Sequence, residues 1–182
     1  MLNFHYMVWL TKDNIMEDPL ADFKLSKKAK MKLKNKAQLK KELAAGKSAQ
    51  EIMGFSDEVM AKFYAAAYSL FEHRHYKDAG NAFLFLVTLN CYNHEYWLGL
   101  GMCAQMTGDY EAAVDAYEMA AICKLESPVP YFYLAKCLFA IHDRQSALQA
   151  LDLAIEYSAD ISEFQTLKEQ ANAARNLLLK DL

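Results

Sequence analysis

Apolar and small residues recur along this chain at a fixed distance of 34 positions. Three segments align in this way, at about 60–93, 94–127 and 128–161. One column holds large aromatic residues: Phe63, Trp97 and Tyr131. Two other columns hold small residues: Ala67, Gly101 and Ala135, and then Ala79, Ala113 and Ala147. Because self-similarity at a constant period is typical of stacked helical units, the pattern predicts an all-α solenoid of three repeats.

Each unit has the spacing of two helices joined by a turn. Small residues let the two backbones approach, and large residues fill the space between the helices. Signals for helix starts recur with the same period. Ser127-Pro128 is typical of an N-cap followed by a proline at the first helical position, and Asn93, a second N-cap residue, lies one repeat earlier. Ser56 is an N-cap residue followed by two acids, which are favoured in the first turn of a helix. Apolar residues at a spacing of three to four predict a capping helix over 162–180, with Asp160 or Ser162 as its N-cap. Leu39, Leu43, Ile52 and Met53 predict one or two short helices before the first repeat.

The second unit carries the most specific motif. It contains Trp97, Leu100 and Gly101, followed by Gly108, Tyr110, Ala113, Tyr117 and Ala120. This arrangement resembles the tetratricopeptide repeat. The first and third units match less well, because Arg74 and His142 stand where the second unit has its turn glycine.

Charge divides the chain into two regions. Ten lysines and one glutamate lie between Lys24 and Lys47, whereas residues 48–182 contain nine basic and eighteen acidic residues. We therefore predict a partly flexible N-terminal extension over 1–47 and a repeat domain over 48–182. The lysine tract lacks interleaved aromatic residues, which favours a solvated arm or a self-association helix over a surface for nucleic acid or anionic lipid.

The first helix of each unit is expected to line the concave side of the stack. In the geometry of the repeat, positions 2, 5, 9 and 12 face inward, and here most of them are aromatic or aliphatic. An exposed apolar surface of this kind favours a binding groove over a solvated face. The predicted groove residues are Tyr64, Tyr68, Phe71, Glu95, Leu98, Met102, Gln105, Phe132, Lys136 and Phe139, with Ala61 and Val129 at the remaining inward positions.

The sequence contains no arrangement that predicts catalysis. Cys91, Cys103, Cys123 and Cys137 form no C-x-x-C pair, and the His73/His75 pair has no third ligand nearby. No nucleotide-binding or hydrolase motif occurs, so we expect no enzyme activity, no cofactor and no metal. We also expect a cytoplasmic protein, because no segment has the length of a membrane span and the N-terminus lacks the features of a secretory signal.

One stretch supports a closer resemblance. The run from Phe83 to Cys103, continued from Gly108 to Ala113, resembles the central part of the class II type III secretion chaperones, the low-calcium-response H/SycD family. The resemblance covers about 45–182. It departs from the family in the N-terminal extension, which is longer and more basic.

The resemblance implies a bacterial cytoplasmic chaperone that keeps hydrophobic secreted translocator proteins soluble. An extended translocator segment would lie in the concave groove, against Tyr64, Tyr68, Phe71, Leu98 and Met102. The family also implies a homodimer formed through N-terminal helices. Two alternatives remain at this stage: a generic tetratricopeptide scaffold that binds a short peptide in a regulatory complex, and a nucleic-acid adaptor that works through the lysine tract.

Overall fold

The computed structural model describes residues 27–158 and 161–180, and the secondary structure in these ranges is helical. This confirms the predicted all-α class. The helices are α1 (Lys27–Lys34), α2 (Lys36–Ala44), α3 (Ala49–Met53), α4 (Asp57–Glu72), α5 (Tyr76–Leu89), α6 (His94–Thr107), α7 (Tyr110–Cys123), α8 (Pro128–Ala140), α9 (Arg144–Tyr157) and α10 (Gln165–Lys180). A 3-10 turn over Ser162–Phe164 leads into α10, so the predicted capping helix begins as a tighter turn. Asp160, one of its two predicted N-caps, lies outside the described residues, as does the segment 1–26.

The helices stack as three consecutive pairs. Helix α4 packs against α5, α6 against α7 and α8 against α9, while contacts between α5 and α6 and between α7 and α8 join the pairs. Helix α10 covers the end of the stack by packing against α9 and α8. A solenoid requires such a cap because its last unit has no following unit to bury its apolar face. Within the described ranges, no helix is long and apolar enough to cross a membrane.

The columns of the sequence repeat form the core. The alanines at 67, 79, 113 and 147 are fully buried, and Phe83 and Tyr117 fill the spaces beside them at 1% and 0% exposure. Two buried clusters result, one centred on the first unit and one on the second and third. Trp97 contacts both clusters, and its indole Nε1 donates a hydrogen bond to the Cys91 carbonyl at 2.8 Å. The second unit is therefore the link between the two halves of the core.

Side chains at the helix starts explain where several helices begin. The Ser56 hydroxyl accepts from the Val59 amide at the start of α4, and Asn93 caps α6 in the same way through the Glu95 amide. Asp109 and Asp143 cap α7 and α9. Each cap satisfies an amide that has no partner within its own helix. Ser127 precedes α8 as predicted, but its side chain makes no capping hydrogen bond and the helix start relies on Pro128 at the first position.

The short helix α3 is tied to the first repeat by one buried side chain. The Gln50 amide nitrogen donates to Asp57 Oδ1 at 2.8 Å, and its carbonyl oxygen accepts from Asn90 Nδ2 at 2.9 Å. Gln50 thus joins the start of α4 to the end of α5. By contrast, α2 buries none of its residues.

The three inner turns share one backbone conformation although only one contains glycine. Gly108 has a φ of 82°, and the residues one repeat before and after it, Arg74 and His142, have φ values of 65° and 66°. A side chain in this left-handed region costs about 1–2 kcal/mol. The repeat packing therefore imposes the turn geometry on two residues that do not favour it.

We expect Arg74→Gly and His142→Gly each to stabilise the protein by about 0.5–1 kcal/mol, because the left-handed strain is removed and only part of the gain is lost to the entropy of the unfolded glycine. Urea unfolding followed by circular dichroism would measure the change. Arg74→Ala is the matched control, since it shortens the side chain but keeps the Cβ atom. An Arg74→Gly protein no more stable than Arg74→Ala would contradict the strain argument.

Candidate functional site

Helices α4, α6 and α8, the first helices of the three pairs, share one side of the stack and form a pocket there. We call it the groove pocket. Six of the ten predicted groove residues line it: Tyr64, Tyr68, Phe71, Glu95, Leu98 and Met102. The pocket is completed by Phe83, Gly99, Val129 and Tyr133. The structure thus brings residues of all three repeats to one apolar site.

Helix α4 contributes an aromatic row. Tyr64, Tyr68 and Phe71 follow one another at helical spacing, with ring centroids 6.4 Å apart for the first pair and 6.5 Å for the second. All three side chains remain partly accessible. Burial raises the pKa of Tyr64, and the nearby Glu95 carboxylate raises it further, so the hydroxyl stays protonated. The row therefore presents uncharged aromatic faces with hydroxyl groups able to hydrogen-bond.

Helix α6 forms the floor of the pocket. Leu98 is only 7% exposed and belongs to the core, whereas Met102 is half-buried and accessible. Gln105 does not line the pocket; its side-chain oxygen accepts a hydrogen bond of 2.8 Å from the Tyr117 hydroxyl. Gln105 thus holds a core tyrosine in place and keeps its amide nitrogen for other partners.

Helix α8 contributes both apolar and charged groups. Phe132 is 9% exposed and packs in the core, while Phe139 is 54% exposed. The exposed Lys136 ammonium lies 5.6 Å from the Phe132 ring centroid and 5.4 Å from that of Tyr133. Tyr133 also stacks on Tyr117 at 5.7 Å. The two rings attract the cation through their faces and hold it beside the pocket.

Tyr133, Gly99 and Phe83 line the pocket without having been predicted as site residues. Tyr133 and Gly99 occupy the same repeat column, whose member in the first unit is Ala65. A tyrosine in a column of small residues was the signal available in the sequence. Phe83 is a core residue whose ring also forms one wall of the pocket.

Two buried cysteines and His73 have structural surroundings. Burial raises the pKa of Cys103 to about 12 and that of Cys137 to about 11, so both thiols stay protonated at neutral pH and are poor nucleophiles. The His73 ring Nδ1 lies 2.7 Å from the carbonyl oxygen of Ser69 in its own helix. No cluster of metal-ligating residues occurs among the residues that the structure describes.

Comparison with known proteins identifies the family. Low calcium response locus protein H of Yersinia pestis is 31% identical to this chain over 118 residues, which make up 65% of this chain and 70% of that protein. The chain belongs to the low-calcium-response H family of class II type III secretion chaperones. The predicted family resemblance is thereby confirmed, although no family model matches the sequence.

Solved structures of the same family share the fold. SycD of Yersinia enterocolitica, in complex with a peptide of the translocator YopD, is 29% identical with a TM-score of 0.67, over 70% of this chain and 98% of its own. PcrH of Pseudomonas aeruginosa, in complex with the chaperone-binding region of PopD, is 26% identical with a TM-score of 0.69, over 70% and 96%. SycD thus binds a peptide of a translocator, and PcrH binds the chaperone-binding region of PopD.

Proposed function

We propose that this chain is a cytoplasmic chaperone that holds a hydrophobic type III translocator in a soluble, unassembled form. An extended segment of the translocator binds in the concave groove, with its apolar side chains against the groove pocket. The observation that carries the proposal is the pocket itself, where aromatic and aliphatic residues of three repeats converge on the side of the stack that α4, α6 and α8 share. The translocator complexes of SycD and PcrH support the same partner class.

The apolar lining accounts for the mode of binding. Each apolar side chain removed from water in a pocket contributes about 1–3 kcal/mol, so a few anchors are sufficient for stable binding. Aromatic side chains supply this contact area with few rotatable bonds, and Met102 adapts to the shape of its partner. Binding to one state of the translocator stabilises that state by mass action. No nucleotide and no catalytic residue is needed, and we propose a purely non-enzymatic role.

The proposal also gives a role to each of the two regions of the chain. Residues 48–182 form the binding domain and residues 1–47 a separate basic extension, which supports a homodimer through its helices. In the described part of the extension, the lysines of α1 and α2 whose side chains are described are exposed to solvent. Helix α2 buries none of its residues. Neither nucleic acid nor membrane is a partner in this proposal.

Loss of two rings of the aromatic row should weaken translocator binding. We choose Tyr68→Ala with Phe71→Ala, because Tyr64 also contacts Phe83 and Tyr96 and its loss would disturb the core. Co-expression with hydrophobic translocators from the same genome, followed by pull-down, should show a soluble complex with the native chaperone. The double variant should bind at least about tenfold more weakly, as expected when two anchors are lost.

The matched control is Tyr92→Ala with Tyr110→Ala, which removes two exposed aromatic residues that do not line the pocket. This control should bind like the native protein. Thermal unfolding of both double variants verifies that they remain folded. Full translocator binding by a folded Tyr68→Ala/Phe71→Ala chaperone would refute the groove as the binding site.

A further inference from the structure

Two opposite charges flank the groove pocket. Glu95 lines it at the start of α6 and is close enough to Tyr64 to raise the pKa of that hydroxyl. Lys136 lies on α8, with its ammonium held over Tyr133, which lines the pocket from the other side. Both charged side chains are exposed. The other groove positions predicted from the repeat carry no charge.

Neither charge takes part in an ion pair within the described residues. The ion pair found there joins Arg175 to Asp152, on α10 and α9, away from the pocket. The fold therefore uses neither Glu95 nor Lys136 as a structural ion pair. Among the described residues, Glu95 and Lys136 therefore have no ion-pair partner, and a ligand that enters the apolar pocket can reach both charges.

Their separation can be estimated from the repeat geometry. Glu95 occupies the second position of its unit and Lys136 the ninth, so they differ by seven residues along two helices that run in the same direction. Seven residues of helix span about 10 Å, and α6 and α8, which are joined through α7, lie at least about 10 Å apart, so the Cα atoms of the two residues are roughly 14 Å or more from each other. About four residues of an extended chain cover this distance. Residues four apart in an extended chain also point to the same side.

We infer that Glu95 and Lys136 select translocator segments that carry one basic and one acidic residue about four positions apart, among apolar anchors. This inference rests on the proposed groove function and specifies its ligand. Apolar contacts supply most of the affinity, whereas complementary charges discriminate between segments of similar hydrophobicity. A segment with two like charges at these positions places one of them against a like charge of the chaperone, which disfavours it.

The inference is tested with four fluorescein-labelled nonapeptides of the form Leu-Ser-X-Ser-Leu-Ser-Z-Ser-Leu. X and Z are Lys and Glu, Lys and Lys, Glu and Glu, or Gln and Gln. Fluorescence anisotropy with the full-length native chaperone should show the Lys/Glu peptide binding about three- to tenfold more tightly than the Gln/Gln peptide, the effect of two partly exposed ion pairs. Raising the salt concentration should reduce this advantage.

Reversing the charge of Glu95 or Lys136 should change which of the four peptides the chaperone binds most tightly. Lys136→Glu leaves two acids beside the pocket and should bind the Lys/Lys peptide best, while Glu95→Lys should bind the Glu/Glu peptide best. The double reversal should bind the Lys/Glu peptide more weakly than the Gln/Gln peptide, because a peptide bound in the same direction then places each of its charges against a like charge. Lys62→Glu makes the same charge change at an exposed position of α4 that does not line the pocket, and should keep the native preference.

The outcomes separate this inference from the function on which it rests. If the native chaperone binds all four peptides within about twofold and the reversals change nothing, the charge assignment is overturned while the apolar groove stands. If no peptide binds, the Gln/Gln peptide included, both the charge assignment and the groove function are contradicted.

Discussion

Gly99→Ala is expected to destabilise the protein by about 2–3 kcal/mol, because a methyl group at this position has no space. A Cβ atom on Gly99 would lie 2.2 Å from Cε1 of Phe83 and 2.5 Å from two further ring atoms. The Phe83 ring is 1% exposed and packs among buried neighbours, so moving it away would disturb the core. The helix-propensity gain of alanine over glycine, about 1 kcal/mol, offsets only part of this clash. Thermal unfolding should show a Tm lower by about 5–10 °C for a chain of this length.

Two further variants test whether the clash with Phe83 is the reason that Gly99→Ala is destabilising. Gly80→Ala is the matched control, since its Cβ atom would meet only the Cβ of Cys103 at an ordinary 3.5 Å, and it should stabilise the protein slightly. Phe83→Leu shortens the obstructing ring, so adding it to Gly99→Ala should cost less than the sum of the two single changes. Additive effects would show that the close approach of Gly99 to Phe83 is not what makes alanine unfavourable.

The sequence predicted the repeat core well because the contacts in a solenoid are periodic. A residue such as Ala113 meets the same kind of neighbour as Ala79 and Ala147, so one aligned column determines three packing positions. The glycine-free turns show the same dominance of the repeat over local preference. Arg74 and His142 adopt the left-handed conformation of Gly108 because the flanking helices already fix the direction of the chain. Local propensity alone would have placed different turns there.

The groove was less predictable than the core. Position in the repeat indicated which side of the helix faces inward, but it did not separate the floor of the pocket from its rim. Leu98 and Phe132 are buried, whereas Lys136 and Phe139 are exposed, although all four occupy positions of the repeat that are predicted to face inward. Tyr133 lines the pocket together with Gly99, its counterpart one repeat earlier, and the sequence shows it only as a large ring in a column of small residues.

Tyr117→Ala is expected to have the largest effect of any change considered, a loss of about 3–5 kcal/mol. The side chain is fully buried, with its ring in the core of the second and third units and stacked on Tyr133. Removing it leaves a cavity between α6 and α8, beside a residue that lines the groove pocket. A chain with marginal stability would be largely unfolded after such a loss. Urea unfolding should show a much lower midpoint, or no folded baseline at 25 °C.

Tyr117→Phe separates the ring from its hydroxyl group. The ring would stay, but the side-chain oxygen of the half-buried Gln105 would lose its hydrogen bond of 2.8 Å. We expect a smaller cost of about 1–2 kcal/mol, since one hydrogen bond is lost and its acceptor is left without a partner. Adding Gln105→Leu should recover part of this cost, because both polar partners are then absent. If Tyr117→Phe is as unstable as Tyr117→Ala, the hydrogen bond to Gln105 and not the packing of the ring accounts for the stabilising effect of Tyr117.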